Sequence, residues 1–475
     1  MAKNSVNSTF EFSSSEGQDL CCQIIHKCLP FGPHDYQLDG ITAVLNGIDM
    51  LAVSATGSGK SAYIYMLIHV ILEILEAPHL CPSVTFPKDP AILVIYPTTA
   101  LEEDQETKMK GLGLTAKAIN SVTKSEADKD GLNIWKLVEL KINVILLSPE
   151  MLSSPGFGGL IESKEFQAQL YAIAIDEVHL LGTCGDTFRP AFHQIGFTRP
   201  RFSRHIVTFS MTATLQPCQL APICRQIGFE EGNYCLIQCS NARPDVQLIF
   251  CTLKATQATE RFPQLDWVLK EPRKTLIFCS TICYRFKLAI YLWHLDPQGA
   301  VQHKTIQLFN SLNLEKYNGQ TLELLKGNQG SRITIATDKL SVGVDVPDFQ
   351  TVVIVDPKDL DDLWQKAGRV GRDRSKIKNA KVVVYLLNST MKAISAPPFE
   401  MSSAGMKFKK RKNSDREGLV IDSGLCKVVL ADCHITEINC QYNNPMSDPP
   451  CSSSCTTCSL LPLPPLPTSC NCSKC

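Results

Sequence analysis

Residues 49–75 read DMLAVSATGSGKSAYIYMLIHVILEIL. The apolar run at 50–53 has the text of a buried strand, the glycine-rich stretch behind it that of a tight turn, and a helix is expected from about Ser61. Strand, turn and helix in this order make a phosphate-binding loop. Gly57 and Gly59 let the backbone turn sharply, so that the N–H groups around Thr56, Gly57, Ser58 and Gly59 and the helix N-terminus converge on one anionic spot. Lys60 adds a point charge for β- and γ-phosphates, and the Ser61 hydroxyl is a ligand for Mg²⁺. The strict pattern has Gly where Ser54 stands.

Outward from this loop, short apolar runs alternate with helical text. They lie at 50–53, 91–96, 142–147, 171–175 and 205–209, and a second series follows at 275–279, 332–336, 351–355 and 381–386. Runs of this kind suit strands of a parallel sheet buried on both faces, so two α/β domains in tandem are expected, with ligand chemistry beyond the strand C-termini. Boundaries are expected at 21–235 and 236–392, after a Ser/Asn-rich disordered stretch at 1–20 and before a linker at 393–425. Four prolines between 77 and 90 predict a surface loop without regular structure.

The chain has 475 residues, with 47 Lys+Arg against 47 Asp+Glu. Global charge therefore points to no polyanionic partner, and any nucleic-acid surface has to be a local cleft. The stretch 407–417 is basic, a solvated linker in preference to a localisation signal or a phosphate-contacting patch, and it is the one hint of a nuclear location. The apolar stretch 62–75 is interrupted by His69 and Glu73 and is too short to span a bilayer, and no secretory signal is read at the N-terminus. Of the 21 cysteines, nine follow Leu425, which reads as reduced thiols with a C-terminal metal site.

Two further stretches carry chemistry. Asp176-Glu177-Val178-His179 follows an apolar strand, where Asp176 can hold the Mg²⁺ shell and Glu177 can orient and deprotonate an attacking water. The segment 365–372 reads QKAGRVGR. Arg369 and Arg372, three residues apart, lie where both guanidinium groups can reach a phosphate, as an arginine finger does, and Gln365 in the same segment is a further catalytic candidate.

With these three stretches in place, the chain resembles the superfamily-two helicases, and more narrowly the RecQ-like DNA helicases. Gln37, in FGPHDYQLDGI, is similar to the adenine-reading glutamine ahead of the loop. YPTTALEEDQ from Tyr96, with Pro97 and Thr98, and LSPEML from Leu147, with Ser148, Pro149 and Glu150, resemble the motifs that contact a nucleic-acid backbone. SMTAT, with Ser210 and Thr212, resembles the motif that links ATP state to strand binding, and His179 belongs to the same coupling set. ARPDV at 242–246 resembles the signature that opens the second domain. ATDKLSVGVDVP at 336–347 places Thr337 toward nucleic acid and Gly343 and Asp345 toward nucleotide.

LLGTCGDTFRPAF, residues 180–192, resembles the family's aromatic-rich loop, with Phe188 and Arg189 in its Phe-Arg-Pro end. Cys184 stands where the family has Trp, which removes a stacking surface of roughly 1–3 kcal/mol per base. Phe188 stacks in its place or belongs to the core. Cys433, Cys451, Cys455 and Cys458 match a four-thiolate structural Zn²⁺ site in a small helical subdomain at 426–460, with Cys440 a rival first ligand and a disordered tail at 461–475. The resemblance implies two RecA-like parallel-sheet domains with that zinc subdomain, ATP hydrolysis with Mg²⁺, and 3′-to-5′ travel on single-stranded or partly duplex DNA. The alternatives are an RNA helicase and an ATP-gated nucleic-acid binding module that does not unwind.

Overall fold

The computed structural model describes residues 10–139, 141–183, 190–254, 259–296, 305–310, 312–327, 332–337, 346, 348–373, 376–395, 421–451, 455 and 472–474. They form two compact units, 1–240 with 442–462, and 241–441 with 463–475.

The first unit is built on seven strands: β1 (Asp49–Val53), β2 (Ala91–Ile95), β3 (Ala116–Ile119), β4 (Val144–Leu147), β5 (Leu170–Asp176), β6 (Val207–Thr212) and β7 (Tyr234–Gln238). Their order is β3-β4-β2-β5-β6-β1-β7, and every pairing is parallel. β1, β2, β4 and β6 are buried at every position, because helices cover both faces, and this is why they read as unbroken apolar runs. Register matters more than order for the chemistry. Val53 pairs with Thr212 and Asp176 with Met211, so the C-terminal ends of β1, β6 and β5 come out side by side.

The second unit carries β8 (Val246–Leu253), β9 (Thr275–Cys279), β10 (Ile306–Phe309), β11 (Ile333–Ala336), β12 (Thr351–Val355) and β13 (Ala380–Leu387). The order is β10-β11-β9-β12-β13-β8, again parallel throughout. The α/β expectation of two parallel sheets therefore holds, while four strands that periodicity did not pick out, β3, β7, β8 and β10, are the four sheet edges. An edge strand has a neighbour on one side only and mixes polar residues into its run, as β8 does with Gln247 and Thr252.

Four expectations need correction. The stretch 1–20 is not disordered throughout: a helix runs over Ser15–Cys28, capped by Ser14 Oγ accepting from the Gly17 N–H at 3.1 Å, with Cys21, Ile24 and Ile25 on its buried face. Phe12 is buried as well, and its N–H donates to Asn46 Oδ1 at 2.9 Å. The loop after residue 77 contains a short 3-10 turn, Pro78–Leu80, and buries Cys81.

Residues 426–460 do not stand as a unit of their own. The helices Ser423–Leu430 and His434–Gln441 belong to the second unit, where the Asn241 N–H donates to Asn439 Oδ1 at 2.9 Å. The chain from Tyr442 belongs to the first. There Gln238 Nε2 donates to the Asn443 carbonyl at 2.8 Å and the Ser240 N–H to Asp448 Oδ1 at 2.9 Å, extending the end of β7 into a polar seam. The expected disordered tail is also partly ordered, since Cys472 bridges Leu248 of β8 and the Ser473 N–H donates to the Leu248 carbonyl at 2.8 Å.

Candidate active site

Between β1 and the helix Ala62–Glu76, Gly57 and Gly59 have φ of 87° and 83°, the left-handed region that glycine enters without steric cost. Ser54 has no such angle, so the loop needs no glycine there; its N–H donates to the Thr212 carbonyl at 3.0 Å and its hydroxyl accepts from Ser58 Oγ at 2.7 Å. Lys60 Nζ donates back to the Ser54 and Ala55 carbonyls at 3.1 and 3.3 Å. Thr56 and Ser61 are half-buried beside it. Gln37 is buried, and its amide donates to the Gly59 carbonyl at 3.2 Å and to the Ser58 carbonyl at 3.4 Å. A Cβ at Gly59 would stand 3.0 Å from that amide nitrogen, so the glycine is also what lets Gln37 close on the loop.

Asp176 ends β5 in a buried position. Burial pushes its carboxyl up to about 7, the Glu177 charge pushes the same way, and Lys60 opposes both. A buried carboxyl this costly to ionise is a fitting ligand for a cation, whose charge would offset that cost. Glu177 turns the chain with φ 50°, a left-handed angle rare for a non-glycine residue, and its N–H donates to Asp176 Oδ1 at 2.9 Å. His179 is buried with Nδ1 2.8 Å from Thr212 Oγ1 and 3.4 Å from Glu177 Oε2. The Thr212 hydroxyl donates its one proton to the Thr214 carbonyl at 2.9 Å, so the His179 Nδ1–H is the donor to Thr212. Ser210 is buried in the same strand.

The two strand-following motifs occupy the turns beyond β2 and β4. Pro97 is buried and Thr98 caps the helix Thr99–Gly111, its Oγ1 accepting from the Leu101 N–H at 3.4 Å. Ser148 and Pro149 are buried at the start of a 3-10 turn, Pro149–Ser153, that leaves Glu150 exposed. Cys184, Phe188 and Arg189 lie outside the described residues, as do Gly343, Asp345 and Cys458.

In the second unit Thr337 follows β11, its N–H donating to the Phe309 carbonyl at 3.4 Å. The helix Leu360–Ala367 carries Gln365 and leads into the arginine segment, with Arg369 buried and Arg372 half-buried; Arg372 Nε donates to the Gly368 carbonyl at 3.4 Å. Trp364 is buried, as core packing requires.

Some contributors carried no assigned role in the sequence reading. Arg243, from the ARPDV stretch, pairs with Asp245 through Nε and Nη2 at 2.8 and 2.7 Å and donates to the Gly371 carbonyl at 2.9 Å, so it props the turn between the two arginines. Gly371 has φ 55°, and a Cβ there would meet Ala380 Cβ at 2.9 Å. Lys366 is buried against Asp362 at 2.6 Å. The signal for Arg243 was the motif itself, but its target is a carbonyl about 130 residues away, which no local pattern encodes.

Of the Cys433, Cys451, Cys455 and Cys458 set, Cys458 lies outside the described residues. Cys433 belongs to the second unit, while Cys451 and Cys455 in the first gather around His34.

Two family patterns match the chain: the DEAD/DEAH box helicase domain over residues 34–221 and the helicase conserved C-terminal domain over residues 259–374. Similar proteins include the ATP-dependent DNA helicase RecQ of Haemophilus influenzae, 26% identical over 352 residues that cover 71% of this chain and 49% of the relative. RecQ of Synechocystis sp. is 27% identical over 342 residues, 70% of this chain and 64% of that protein. The chain belongs to the RecQ-like superfamily-two helicases. A protein of Acanthamoeba polyphaga mimivirus named as an ATP-dependent RNA helicase is 27% identical to this RecQ-like chain over 350 residues, 73% of the chain and 56% of the relative. The chain thus spans about half the length of several relatives it matches. Among solved structures, the DUF1998 helicase MrfA bound to DNA and AMPPNP aligns over 81% of this chain and 51% of its own with TM-score 0.58 at 17% identity. Mss116p bound to ssRNA and AMP-PNP aligns over 83% and 77% with TM-score 0.58 at 18% identity. These likenesses identify both units of the RecQ-like chain as RecA-like folds.

Proposed function

We propose that the chain hydrolyses ATP and uses the cycle to move along single-stranded DNA, as a RecQ-type helicase or translocase with 3′-to-5′ polarity. The observation that carries the reading is the side-by-side exit of β1, β6 and β5, which sets Lys60, Thr212 and the Asp176-Glu177 pair around one phosphate cradle. Lys60 holds phosphate charge, and Gln37 reads the adenine edge beside the loop. Ser61 and Asp176 would hold Mg²⁺, which when bound supplies charge neutralisation on the phosphates. Glu177 orients the attacking water and accepts its proton, and Arg369 and Arg372 add positive charge as the transition state forms. His179 connects the Glu177 carboxylate to Thr212, the residue through which the strand-binding motif answers to hydrolysis.

The RecQ relatives support DNA as the track; the mimivirus relative and the RNA-bound neighbour support RNA as the second reading. Strand displacement measured beside ATP turnover, on matched DNA and RNA substrates with either 3′ or 5′ overhangs, tests the proposal. Unwinding of the 3′-tailed DNA duplex alone is the expected result. ATP turnover with neither displacement of any duplex nor movement along single strands would overturn it in favour of an ATP-gated binding module. The basic stretch at 407–417 supports a nuclear location, which imaging of the tagged chain with and without that stretch tests.

A further inference from the structure

We propose that the outer face of the helix Ile282–Leu295 in the second unit is a docking surface for an amphipathic acidic helix of a partner protein, one of whose carboxylates pairs with Arg285 beneath the Phe286 ring. The helix reads ICYRFKLAIYLWHL and places a charge inside and an apolar stripe outside, the reverse of an ordinary surface helix. Its inner face, packed on β9, β10 and β11, buries Tyr284, Arg285, Leu288, Ala289 and Leu292. Its outer face presents Phe286 and Ile290, 39% and 50% exposed, with Ile282 and Trp293 half-buried in line with them. Positions 282, 286, 290 and 293 follow the i, i+4 and i+3 spacing of one helical stripe, the pattern that a helix keeps for a packed neighbour.

Arg285 says what that neighbour carries. Its side chain is 0% exposed, and Nε, Nη1 and Nη2 have no hydrogen-bond partner among the described residues. A guanidinium keeps its charge inside a protein and brings a fork of N–H donors, so burying it without an acceptor is costly, and a carboxylate that takes the fork bidentately offsets that cost. The guanidinium carbon lies 4.9 Å from the centroid of the Phe286 ring, so an exposed side chain of the apolar stripe is what stands over it. The ring face attracts the cation but offers no oxygen to the donors. Thr281 Oγ1 accepts from the Tyr284 N–H at 3.2 Å and the Tyr284 ring packs on Phe262 with centroids 5.0 Å apart, which fixes the start of the helix and leaves Phe286 as the side chain whose rotation would open the fork to the surface. The stripe holds no Lys or Arg at 282, 286, 290 or 293, whereas a nucleic-acid backbone calls for a row of them. One carboxylate among apolar side chains fits this face better than a polyanion does. The inference does not rest on the ATPase reading.

The test selects helical peptides of about 16 residues from a display library against the full chain, with counter-selection on a variant carrying Phe286→Asp and Ile290→Asp, and measures the affinities of the recovered peptides by fluorescence anisotropy. Peptides with apolar residues at i and i+4 beside one Asp or Glu are expected. Replacing that acid with its amide should weaken binding to the parent at least about tenfold and leave binding to Arg285→Met within about twofold, because the two changes remove the same pair. Arg285→Met should itself melt higher than the parent, since it removes an unpaired buried charge. A lower melting temperature would show that the guanidinium is already satisfied within the chain and overturns its role. Phe286→Asp and Ile290→Asp each change an exposed side chain, so they keep the fold and decide the matter if Arg285→Met does not fold: binding that survives either one overturns the surface. Recovery of no peptide that distinguishes the parent from the counter-selected variant, or equal losses on acid removal with the parent and with Arg285→Met, also overturns the proposal. Single-stranded DNA whose affinity falls about tenfold in Phe286→Asp would give the face to nucleic acid, and self-association of the parent that Ile290→Asp abolishes would give it to a second copy; either result overturns the partner helix.

Discussion

His179 donates through Nδ1 to the hydroxyl of Thr212 at 2.8 Å, and the same nitrogen is 3.4 Å from the Glu177 carboxylate. One buried ring thus joins the residue proposed to prepare water with the strand end that carries the SMTAT motif. Thr212 is held on its other side by the Thr214 carbonyl, and its backbone carbonyl accepts from Ser54 at the head of the P-loop. A change at the phosphate cradle therefore has a short hydrogen-bonded route into the loop after β6.

Replacing Thr212 with Val keeps volume and removes that route. The lost hydrogen bonds cost on the order of 1 kcal/mol each in stability. ATP affinity and the rate without nucleic acid should change little, whereas stimulation by single-stranded DNA should fall severalfold. Undiminished stimulation in Thr212→Val and in His179→Ala would remove this pair from the coupling.

Lys60→Ala should abolish nucleotide binding, while Glu177→Gln should keep binding and lower turnover roughly 10²–10⁴-fold. The division follows from the geometry, since Lys60 belongs to the P-loop and Glu177 points from the turn after β5. Equilibrium binding of a nucleotide analogue beside steady-state turnover checks it, and equal losses of affinity in the two variants would contradict the assignment.

Arg243→Ala should lower the turnover rate with little change in nucleotide affinity, because it removes the prop beneath Gly371 and lets the segment between Arg369 and Arg372 relax. Gly371→Ala should act in the same direction and also destabilise by roughly 1–3 kcal/mol, since its φ of 55° and the 2.9 Å approach to Ala380 both resist a side chain. Thermal melts separate the two effects: Arg243→Lys, which keeps charge but not the forked geometry, should reproduce the kinetic loss only.

Glu102 supplies a pH test. It is fully buried, accepts from Asn120 Nδ2 at 3.1 Å, and burial pushes its carboxyl up to about 8 against the weaker opposing effect of that hydrogen bond. The unfolded chain ionises this group near the ordinary carboxylate range, so the stability it contributes is complete at acid pH and is lost as pH rises through about 8. Glu102→Gln, which cannot ionise, should match the parent near pH 5 and melt progressively higher from there to pH 8, with each kcal/mol worth about 2–4 °C in a domain of this size. A gap that stays constant with pH would show that the carboxyl ionises freely in the fold.

The sequence by itself determined the sheet interiors and the glycine-turned loop between β1 and the helix Ala62–Glu76. All nine apolar runs picked out by pattern became interior strands, because a strand covered on both faces must be apolar at nearly every position. The P-loop and the Asp176-Glu177 pair were legible because each is a contiguous stretch whose backbone or side chains act together. Tertiary structure alone decided the edges, where polar residues interrupt the run and the pairing partner is remote in sequence. It also decided the links that span such distances: Arg243 under Gly371, His179 on Thr212, and His34 beside Cys451 and Cys455. Spacing along the chain says which thiols are neighbours in sequence, but what else stands beside them depends on the fold, and here the Tyr442 segment runs back along the end of β7 and brings Cys451 and Cys455 to His34.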